Sequence, residues 1–324
     1  MTKAIRFHAR GGPEVLRWED VALGAPGPGQ VRMRNTAVGV NFREIYVRTG
    51  LHDGTLPSGL GFESAGVVEA VGPGVTDVKA GDRVACTAGP EGAYAEARVV
   101  AADKLVPLPD AVSDEQAAAM MLKGMTAQYL LRQTYRVQPG DTILFHAAAG
   151  GVGLIACQWA KALGATVIGT VGSADKAELA RAHGCDHVIL YKEEDVPARV
   201  KAITGGKGVP VVYDGVGKAT FMASLDCLRP RGLMVSFGNA SGAVEAFNLG
   251  ILSQKGSLYV TRPTLFAYTA TRDELLATAG DLFDVVGSGK VGIEIHQRFP
   301  LERAADAHRA LEGRATTGST LLIP

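Results

Sequence analysis

The stretch Ala147-Ala148-Ala149-Gly150-Gly151-Val152-Gly153 decides the fold of this chain. It follows the apolar run 142–145, which predicts a buried strand, and it precedes 154–163, which predicts a helix. A strand, a glycine turn and a helix in this order form the phosphate cradle of a dinucleotide fold. The small residues at 148, 150 and 153 fit G-x-G-x-x-G with alanine in the first place. Gly150 would let the backbone approach a pyrophosphate and Gly153 would let helix and strand pack closely; the alternative is a turn that serves packing alone.

The residue at the end of the next strand selects the cofactor in this fold. That strand is predicted at 166–171, and Ser173 follows it where NAD enzymes place an acid that binds the ribose 2′-hydroxyl. A hydroxyl, with Lys176 three residues later, would attract a 2′-phosphate that a carboxylate would repel. Asp175 is expected to point outward in the first helical turn, where the dipole favours an acid. The pattern therefore favours NADPH over NADH, although Lys176 also fits a solvated helix lysine.

Composition limits the class of protein. The chain has 324 residues, of which 47% are hydrophobic and 20% charged, which is typical of a globular protein with two domains. Thirty-three basic residues balance 33 acidic ones, so net charge favours neither nucleic acid nor an anionic membrane as a partner. The four cysteines are widely spaced and form no C-x-x-C motif. With no signal peptide pattern and no apolar run near the ~20 residues of a membrane span, the sequence predicts a cytoplasmic protein without a membrane partner.

The pattern of elements changes along the chain. Short strand-like runs between glycine and proline turns dominate up to Ser113, which with Gln116 predicts a helix start. Strands and helices then alternate, which predicts a parallel sheet with helices on both faces. The tail predicts helices at 272–287 and 301–312 and a strand at 319–323. Further strands are predicted at 3–8, 31–40, 64–71, 83–87, 93–99, 187–190, 209–213, 233–237 and 257–260, and helices near 174, 193 and 218.

Ordered motifs along essentially the whole chain resemble the medium-chain dehydrogenase/reductase superfamily. Within it, the chain is most similar to the zinc-free NADPH:quinone oxidoreductases, the group that includes zeta-crystallin, and especially to the bacterial members. The motifs are Gly11–Leu16, Val40–Phe42, Ala80–Val84, Lys123–Ala127, His146–Gly153, Val212–Gly217, Arg231–Gly238 and Gly313–Gly318. The resemblance implies an α/β protein with a GroES-like β-rich domain from 1–122 and 267–324. It also implies a Rossmann NADPH-binding domain from 123–266, with the cofactor in the cleft between the two domains.

The zinc alcohol dehydrogenases of the same superfamily are the rival class. Their G-H-E motif carries a histidine ligand, and this chain reads Gly61-Phe62-Glu63 there. Their ligand cysteine would lie in Gly39–Phe42, which has no thiol, and their four-cysteine lobe would follow Val84, where only Cys86 stands. Because a zinc site needs three or four N, S or O ligands, the sequence predicts neither catalytic nor structural zinc. Glu63 is expected to be a structural acid.

The resemblance implies reduction of a quinone, which is electron-poor enough to accept hydride without a Lewis acid. Family position places Asn41 and Tyr46 at the acceptor, where Asn41 would bond a ribose hydroxyl or the acceptor's oxygen. Tyr46 would stack or donate its hydroxyl, although it also fits an ordinary core aromatic. His52 lies where relatives often carry an aromatic; it is either an acceptor contact that donates a proton or a surface histidine.

The other residues carried over from the family pattern are expected to bind NADPH. The residues expected near the nicotinamide are Lys123, Thr126, Tyr129, Phe237, Gly238 and Arg262. Gly150, Gly151 and Val152 would face the pyrophosphate. The 2′-phosphate would be surrounded by Ser173, Lys176 and Tyr191, and Arg314 would reach the cofactor from the tail. Phe237 also fits the buried end of a strand.

Two alternatives to quinone reduction stay open at this point. An enone or alkenal reductase would use the same hydride donor on another acceptor. A weakly active NADPH-binding protein would not need Asn41 and Tyr46, so those residues argue against it. Finally, 257–260 predicts a strand near the end of the Rossmann sheet, with Leu258 on the exposed edge, and the resemblance implies that two such edges pair in a homodimer.

Overall fold

The computed structural model describes residues 1–52, 54–87 and 92–324. The chain divides into two compact units. Unit 1 comprises Met1–Met125, Thr269–Gly287 and Ile293–Pro324, and unit 2 comprises Thr126–Tyr268 and Ser288–Gly292. Within the described ranges, none of the helices combines the length and the apolar character that crossing a membrane requires.

The elements are numbered in chain order. The strands are β1 (Thr2–Phe7), β2 (Arg17–Val21), β3 (Gln30–Val40), β4 (Ser58–Gly59), β5 (Glu63–Val71), β6 (Arg83–Cys86), β7 (Ala97–Ala101), β8 (Leu105–Pro107), β9 (Thr142–Phe145), β10 (Thr166–Val171), β11 (His187–Leu190), β12 (Val209–Asp214), β13 (Leu228–Ser236), β14 (Tyr259–Thr261), β15 (Ile295–Pro300) and β16 (Ser319–Ile323). The α-helices are α1 (Phe42–Thr49), α2 (Asp114–Tyr129), α3 (Gly151–Ala162), α4 (Ala174–Ala182), α5 (Val196–Ile203), α6 (Phe221–Asp226), α7 (Gly250–Gln254), α8 (Leu265–Tyr268), α9 (Arg272–Gly287) and α10 (Ala304–Glu312).

Unit 2 is built on a six-stranded sheet with the order β11-β10-β9-β12-β13-β14. All neighbouring strands are parallel, so each connection crosses over the sheet, and helices α3 to α7 supply these crossovers. The strand order reverses between β9 and β12, and ligands of such sheets bind at the carboxyl ends of the strands near that point. The predicted doubly wound Rossmann sheet is confirmed.

Unit 1 is built on two sheets. One has the order β2-β1-β4; the other has seven strands in the order β15-β16-β3-β5-β6-β8, with β7 also paired to β3. The long strand β3 organises the second sheet, because its first half pairs with β7 and its second half pairs with β16. Alternate apolar residues of β3, among them Val31 and Met33, pack into a core with Val68 and Leu105. This β-rich unit agrees with the GroES-like domain that the sequence predicts.

Several predicted element bounds are wrong by a few residues, each for a local reason. The helix predicted near 193 begins at Val196, because Asp195 is its N-cap and accepts from Ala198 N at 2.7 Å. The helix predicted near 218 begins at Phe221. The strand predicted at 93–99 begins at Ala97, since the preceding residues turn to form a single bridge between Ala95 and Ala4.

The edge of the unit 2 sheet also differs from the prediction. The edge strand β14 begins at Tyr259, and Leu258 before it is only 6% exposed, packed in the core of the unit. The exposed side chain of this edge is Tyr259, at 62%. The sequence prediction that Leu258 lies on the exposed edge of the sheet is therefore wrong, because its side chain packs into the core of unit 2.

Candidate cofactor and acceptor site

The glycine turn after β9 leaves no room for a side chain at Gly153. A Cβ on Gly153 would lie 2.4 Å from the carbonyl oxygen of Ala147 and 2.6 Å from that of Ala148. Ala147 has a φ of 55°, and Gly150 is the N-cap of α3. The first N–H groups of a helix have no partner within it, and the positive end of the dipole lies there. The turn with Gly151 and Val152 can therefore hold a pyrophosphate through backbone groups.

A second polar group lies at the carboxyl end of β10. A Cβ on Gly172 would lie 2.7 Å from the hydroxyl oxygen of Tyr191, so the phenol lies directly against this backbone. Next to it, Ser173 is the exposed N-cap of α4, and its side chain makes no capping hydrogen bond. Lys176 follows within the first turn of that helix, and Asp175 is exposed. The structure thus brings Ser173 and Tyr191 to one strand end, with two hydroxyls where a carboxylate would select NAD.

Aromatic and basic residues line the neighbouring strand ends. Tyr129 stacks on Tyr268 with ring centroids 4.6 Å apart, and burial raises the pKa of Tyr129 above its ordinary range. The guanidinium of Arg262 donates to the Ser236 carbonyl oxygen at 2.7 Å, which fixes it at the end of β13. Phe237 follows there, with its ring 5.7 Å from that of Phe145. The Phe237 ring and the Arg262 guanidinium therefore both lie at the carboxyl ends of the strands.

Gly238 follows in the same turn, at a position where any side chain would clash with the neighbouring backbone. A Cβ there would lie 2.4 Å from the Gly215 carbonyl oxygen. The two turns after β12 and β13 therefore pack backbone to backbone, and a larger residue would push them apart.

The sequence interpretation missed a buried polar network beneath these turns. Asp214 is fully buried and accepts from Val216 N at 2.8 Å, Gly217 N at 3.0 Å and Ser224 Oγ at 2.8 Å. His146 contacts Ser224 Oγ through Nε2 at 3.0 Å, and burial lowers the pKa of His146. The network ties the turn after β12 to the start of the phosphate turn. Asp214 resembles a common turn acid in sequence, so only its burial distinguishes it.

In unit 1, Asn41 belongs to a buried charged cluster. It is the N-cap of α1; its backbone N–H donates to the Glu44 carboxylate at 2.9 Å and its Nδ2 donates to Glu63 Oε2 at 3.1 Å. Lys123 Nζ donates to the same oxygen of Glu63 at 3.1 Å. Glu63 is therefore a structural acid, as expected, and it joins two of the predicted site residues.

Glu44 is the member of the cluster that the sequence interpretation missed. It is fully buried, and desolvation raises its pKa from 4.5 to about 7, an increase opposed by its backbone hydrogen bonds and by Lys123. Its position three residues after an asparagine N-cap is the signal that could have revealed it, because N-x-x-E is a capping pattern. The cluster thus holds a carboxyl group that is partly protonated near neutral pH.

Tyr46 and His52 lie together on the exposed side of α1. Their ring centroids are 5.2 Å apart and meet edge to face. Both side chains are half-buried. Nearby in sequence, the guanidinium of Arg43 lies 4.0 Å from the centre of the Phe62 ring, so Phe62 packs as an aromatic under a cation.

Thr126 and Arg314 are the last two predicted site residues. Thr126, the first residue of unit 2, is half-buried, and Arg314 is exposed with a φ of 56°. Across 1–52, 54–87 and 92–324, no three His, Cys, Asp or Glu side chains form a group that could hold a metal ion.

A doubly wound sheet with a glycine turn, joined to a GroES-like unit, defines a medium-chain dehydrogenase/reductase. Family models agree: the alcohol dehydrogenase GroES-like domain matches residues 27–110, and the model described as zinc-binding dehydrogenase matches 151–279. The chain is 61% identical to a quinone oxidoreductase of Pseudomonas aeruginosa over 100% of both chains. It therefore belongs to the quinone oxidoreductase family of this superfamily, which confirms the resemblance seen in the sequence.

Two further relatives bear on the chemistry. The crystal structure of Escherichia coli quinone oxidoreductase complexed with NADPH is similar with a TM-score of 0.98 and 55% identity, covering 99% of this chain and 100% of that one. A 2-haloacrylate reductase from a Burkholderia species is 50% identical over 100% of this chain and 99% of its own. The first relative binds NADPH, and the second is named for a different acceptor.

Proposed function

We propose that this protein transfers reducing equivalents from NADPH to a quinone without a metal. The observation that carries the proposal is the end of β10, where Ser173 and Tyr191 present hydroxyls beside Gly172 in place of an acid. That set suits a 2′-phosphate, and the NADPH complex of a 55% identical relative supports the same cofactor. The names of the similar proteins support a quinone as acceptor.

The residues of unit 2 would hold the cofactor. The amides of Gly151 and Val152 would bind the pyrophosphate, because they lie at the positive end of α3. Gly150, whose own amide donates to the Ala147 carbonyl oxygen at 2.9 Å, would let the backbone approach the pyrophosphate closely. Lys176 would pair with the 2′-phosphate from the first turn of α4. The residues proposed for the nicotinamide half are Thr126, Tyr129, Phe237, Gly238 and Arg262, with Lys123 and Arg314 contributed by unit 1.

The residues of unit 1 would orient the acceptor. Tyr46 offers an aromatic face and a hydroxyl, and His52 meets its ring edge, so the pair forms a small aromatic surface. Asn41 is held by its hydrogen bonds to Glu44 and Glu63 and would contact the ribose or the acceptor. Bound NADPH supplies the hydride, and the protein's part is to orient the two reactants.

Reduction of an activated alkene is the second candidate function. The 50% identity to a 2-haloacrylate reductase over the whole chain favours it, since both reactions use the same hydride donor. The two acceptors differ in what they demand of the site. A quinone is already strongly electrophilic, whereas an acrylate needs its carboxylate paired and its carbanion protonated.

A substrate panel tests the proposal. Oxidation of NADPH would be followed with several quinones, 2-chloroacrylate and simple enones, each with and without a chelator. We expect quinones to give the highest kcat/KM and the chelator to leave the rate unchanged. Higher kcat/KM for 2-chloroacrylate would favour the second function. No turnover with any acceptor, together with tight NADPH binding, would indicate a binding protein instead.

We also propose a homodimer in the cytoplasm. The edge strand β14 leaves Tyr259 largely exposed, and an exposed sheet edge tends to pair with another strand. Two copies pairing at β14 around a two-fold axis would form one continuous sheet. All four cysteines are free and buried, which suits a reducing compartment.

A further inference from the structure

Lys123 is a buried cation whose hydrogen-bonding capacity the protein uses only in part. Its side chain is 7% exposed, and its ammonium makes one hydrogen bond to the described part of the chain, to Glu63 Oε2 at 3.1 Å. An ammonium carries three N–H donors, so two of them have no acceptor among the described residues. Buried donors are rarely left unpaired. The exposed 7% of the Lys123 side chain leaves these donors accessible to a ligand. The geometry suits an oxygen atom of a ligand.

Glu63 holds this ammonium in place. The carboxylate is fully buried and both oxygens are used: Oε1 accepts from Leu122 N at 2.6 Å, and Oε2 accepts from Lys123 and from Asn41. It also lies tightly against β3, because a Cβ on Gly39 would be 2.2 Å from Oε2. The cation and the Asn41 amide are therefore fixed around one oxygen atom.

We infer that Lys123, positioned by Glu63, is a catalytic residue that stabilises negative charge on the oxygen of the acceptor. The inference rests on the proposed function. Hydride transfer adds one hydrogen and two electrons to the quinone and oxidises the cofactor to NADP⁺. One quinone oxygen then carries a negative charge until it takes a proton from water. A fixed ammonium with two open donors in a nearly dry site stabilises that charge far better than water does.

The competing explanation is that Lys123 only neutralises Glu63 in the folded chain. Glu44 also faces the cluster and would feel the loss of the cation. Removing the cation alone leaves a buried carboxylate unpaired, which destabilises a protein whatever the role of the lysine. The test therefore compares Lys123→Met with the double variant Lys123→Met/Glu63→Gln. The double variant has neither charge, so no unpaired buried ion destabilises its folded state.

Three quantities separate the explanations: the Tm, the Kd for NADPH, and the single-turnover rate of quinone reduction from the NADPH complex. We expect the double variant to recover the Tm and to weaken NADPH binding by about tenfold at most, the cost of one lost contact. From the saturated NADPH complex it should still reduce quinone about 100-fold more slowly or worse, as for loss of one transition-state donor.

Two outcomes would overturn the inference. A wild-type rate in the double variant would make Lys123 a structural partner of Glu63. A weakened Kd for NADPH with an unchanged rate at saturation would make it a cofactor contact only. If wild-type protein itself reduces no quinone, the proposed function fails, which is a different result from either of these.

Discussion

We expect single side chains around Gly172 to decide which nucleotide this protein accepts. Lys176→Ala removes a cation from the first turn of α4, and we expect it to weaken NADPH binding and leave NADH binding nearly unchanged. One lost charge-assisted contact costs about 1.5–3 kcal/mol. Titration of each nucleotide against the variant gives the two Kd values. Lys207→Ala is the matched control, because Lys207 precedes β12 at the opposite end of the sheet. Equal losses for NADPH and NADH would contradict a phosphate contact.

Tyr46 presents a second test at the scale of one residue. Quinone reduction needs no strong acid, and a tyrosine with a pKa near ~10 is a poor acid at neutral pH. We expect Tyr46→Phe to keep most of the activity and Tyr46→Ala to raise the KM for the quinone, because the ring rather than the hydroxyl contacts the acceptor. Steady-state kinetics of both variants give the answer. A fall in kcat of ~100-fold for Tyr46→Phe would instead make the hydroxyl a general acid.

Among the elements of the candidate site, the glycine turn with α3 leaves little room for a larger residue. Gly153→Ala would place a Cβ 2.4 Å from a backbone oxygen, which must move the turn away from its phosphate-binding geometry. We expect a loss of about 1–3 kcal/mol in the free energy of unfolding and weaker NADPH binding. Gly280→Ala is the control, since a Cβ there meets nothing within 4 Å inside helix α9. It should stabilise the protein by about 1 kcal/mol. Similar results for the two variants would show that the turn has room to relax.

The elements also show how far sequence reasoning reaches. Strands β9, β10 and β16 and helix α9 have the predicted bounds, because strong apolar periods end at clear glycine or capping signals. Helix α1 was missed, since it has only eight residues and its start depends on Glu44, a buried acid. The cluster of Glu44, Glu63 and Lys123 could not be foreseen, because it joins three elements distant in sequence. Apolar periodicity reveals which face of a single helix or strand is buried, and it carries no information about contacts between elements that are distant in sequence.

For the molecule as a whole, Glu44 predicts how stability responds to pH. Its pKa is about 7 in the folded chain against 4.5 for an ordinary glutamate, so the folded state binds the extra proton between those values. The free energy of unfolding therefore falls as pH rises from 4.5 through 7, by about 3 kcal/mol from this group. Glu44→Gln removes the titration, and we expect its stability relative to wild type to rise over that range. Denaturant unfolding at pH 5 and pH 8 measures the change; a pH-independent difference would contradict it.

Assembly is the other property of the whole molecule that can be tested. Tyr259→Lys adds a charge to the exposed side of β14 without disturbing the core, unlike a change at the buried Leu258. If two β14 strands pair in a dimer, light scattering should give a two-chain mass for wild type and a one-chain mass for the variant at micromolar concentration. Met222→Lys is a control at another exposed apolar residue. A wild-type mass of one chain would rule out the proposed dimer.

The pairing of β16 with β3 has a consequence for synthesis on the ribosome. Thr320 pairs with Val40, so strand β3 of unit 1 gains its neighbour β16 only after residues 319–323 have been translated. Nearly all of unit 2 is one continuous segment, Thr126–Tyr268, whose strands are joined through neighbouring helices. Residues 126–268 can therefore acquire native structure during translation before β16 is made, while residues 1–125 keep an open sheet edge. Residues 1–125 are thus translated before unit 2 but completed after it, and in that interval they would need protection by chaperones.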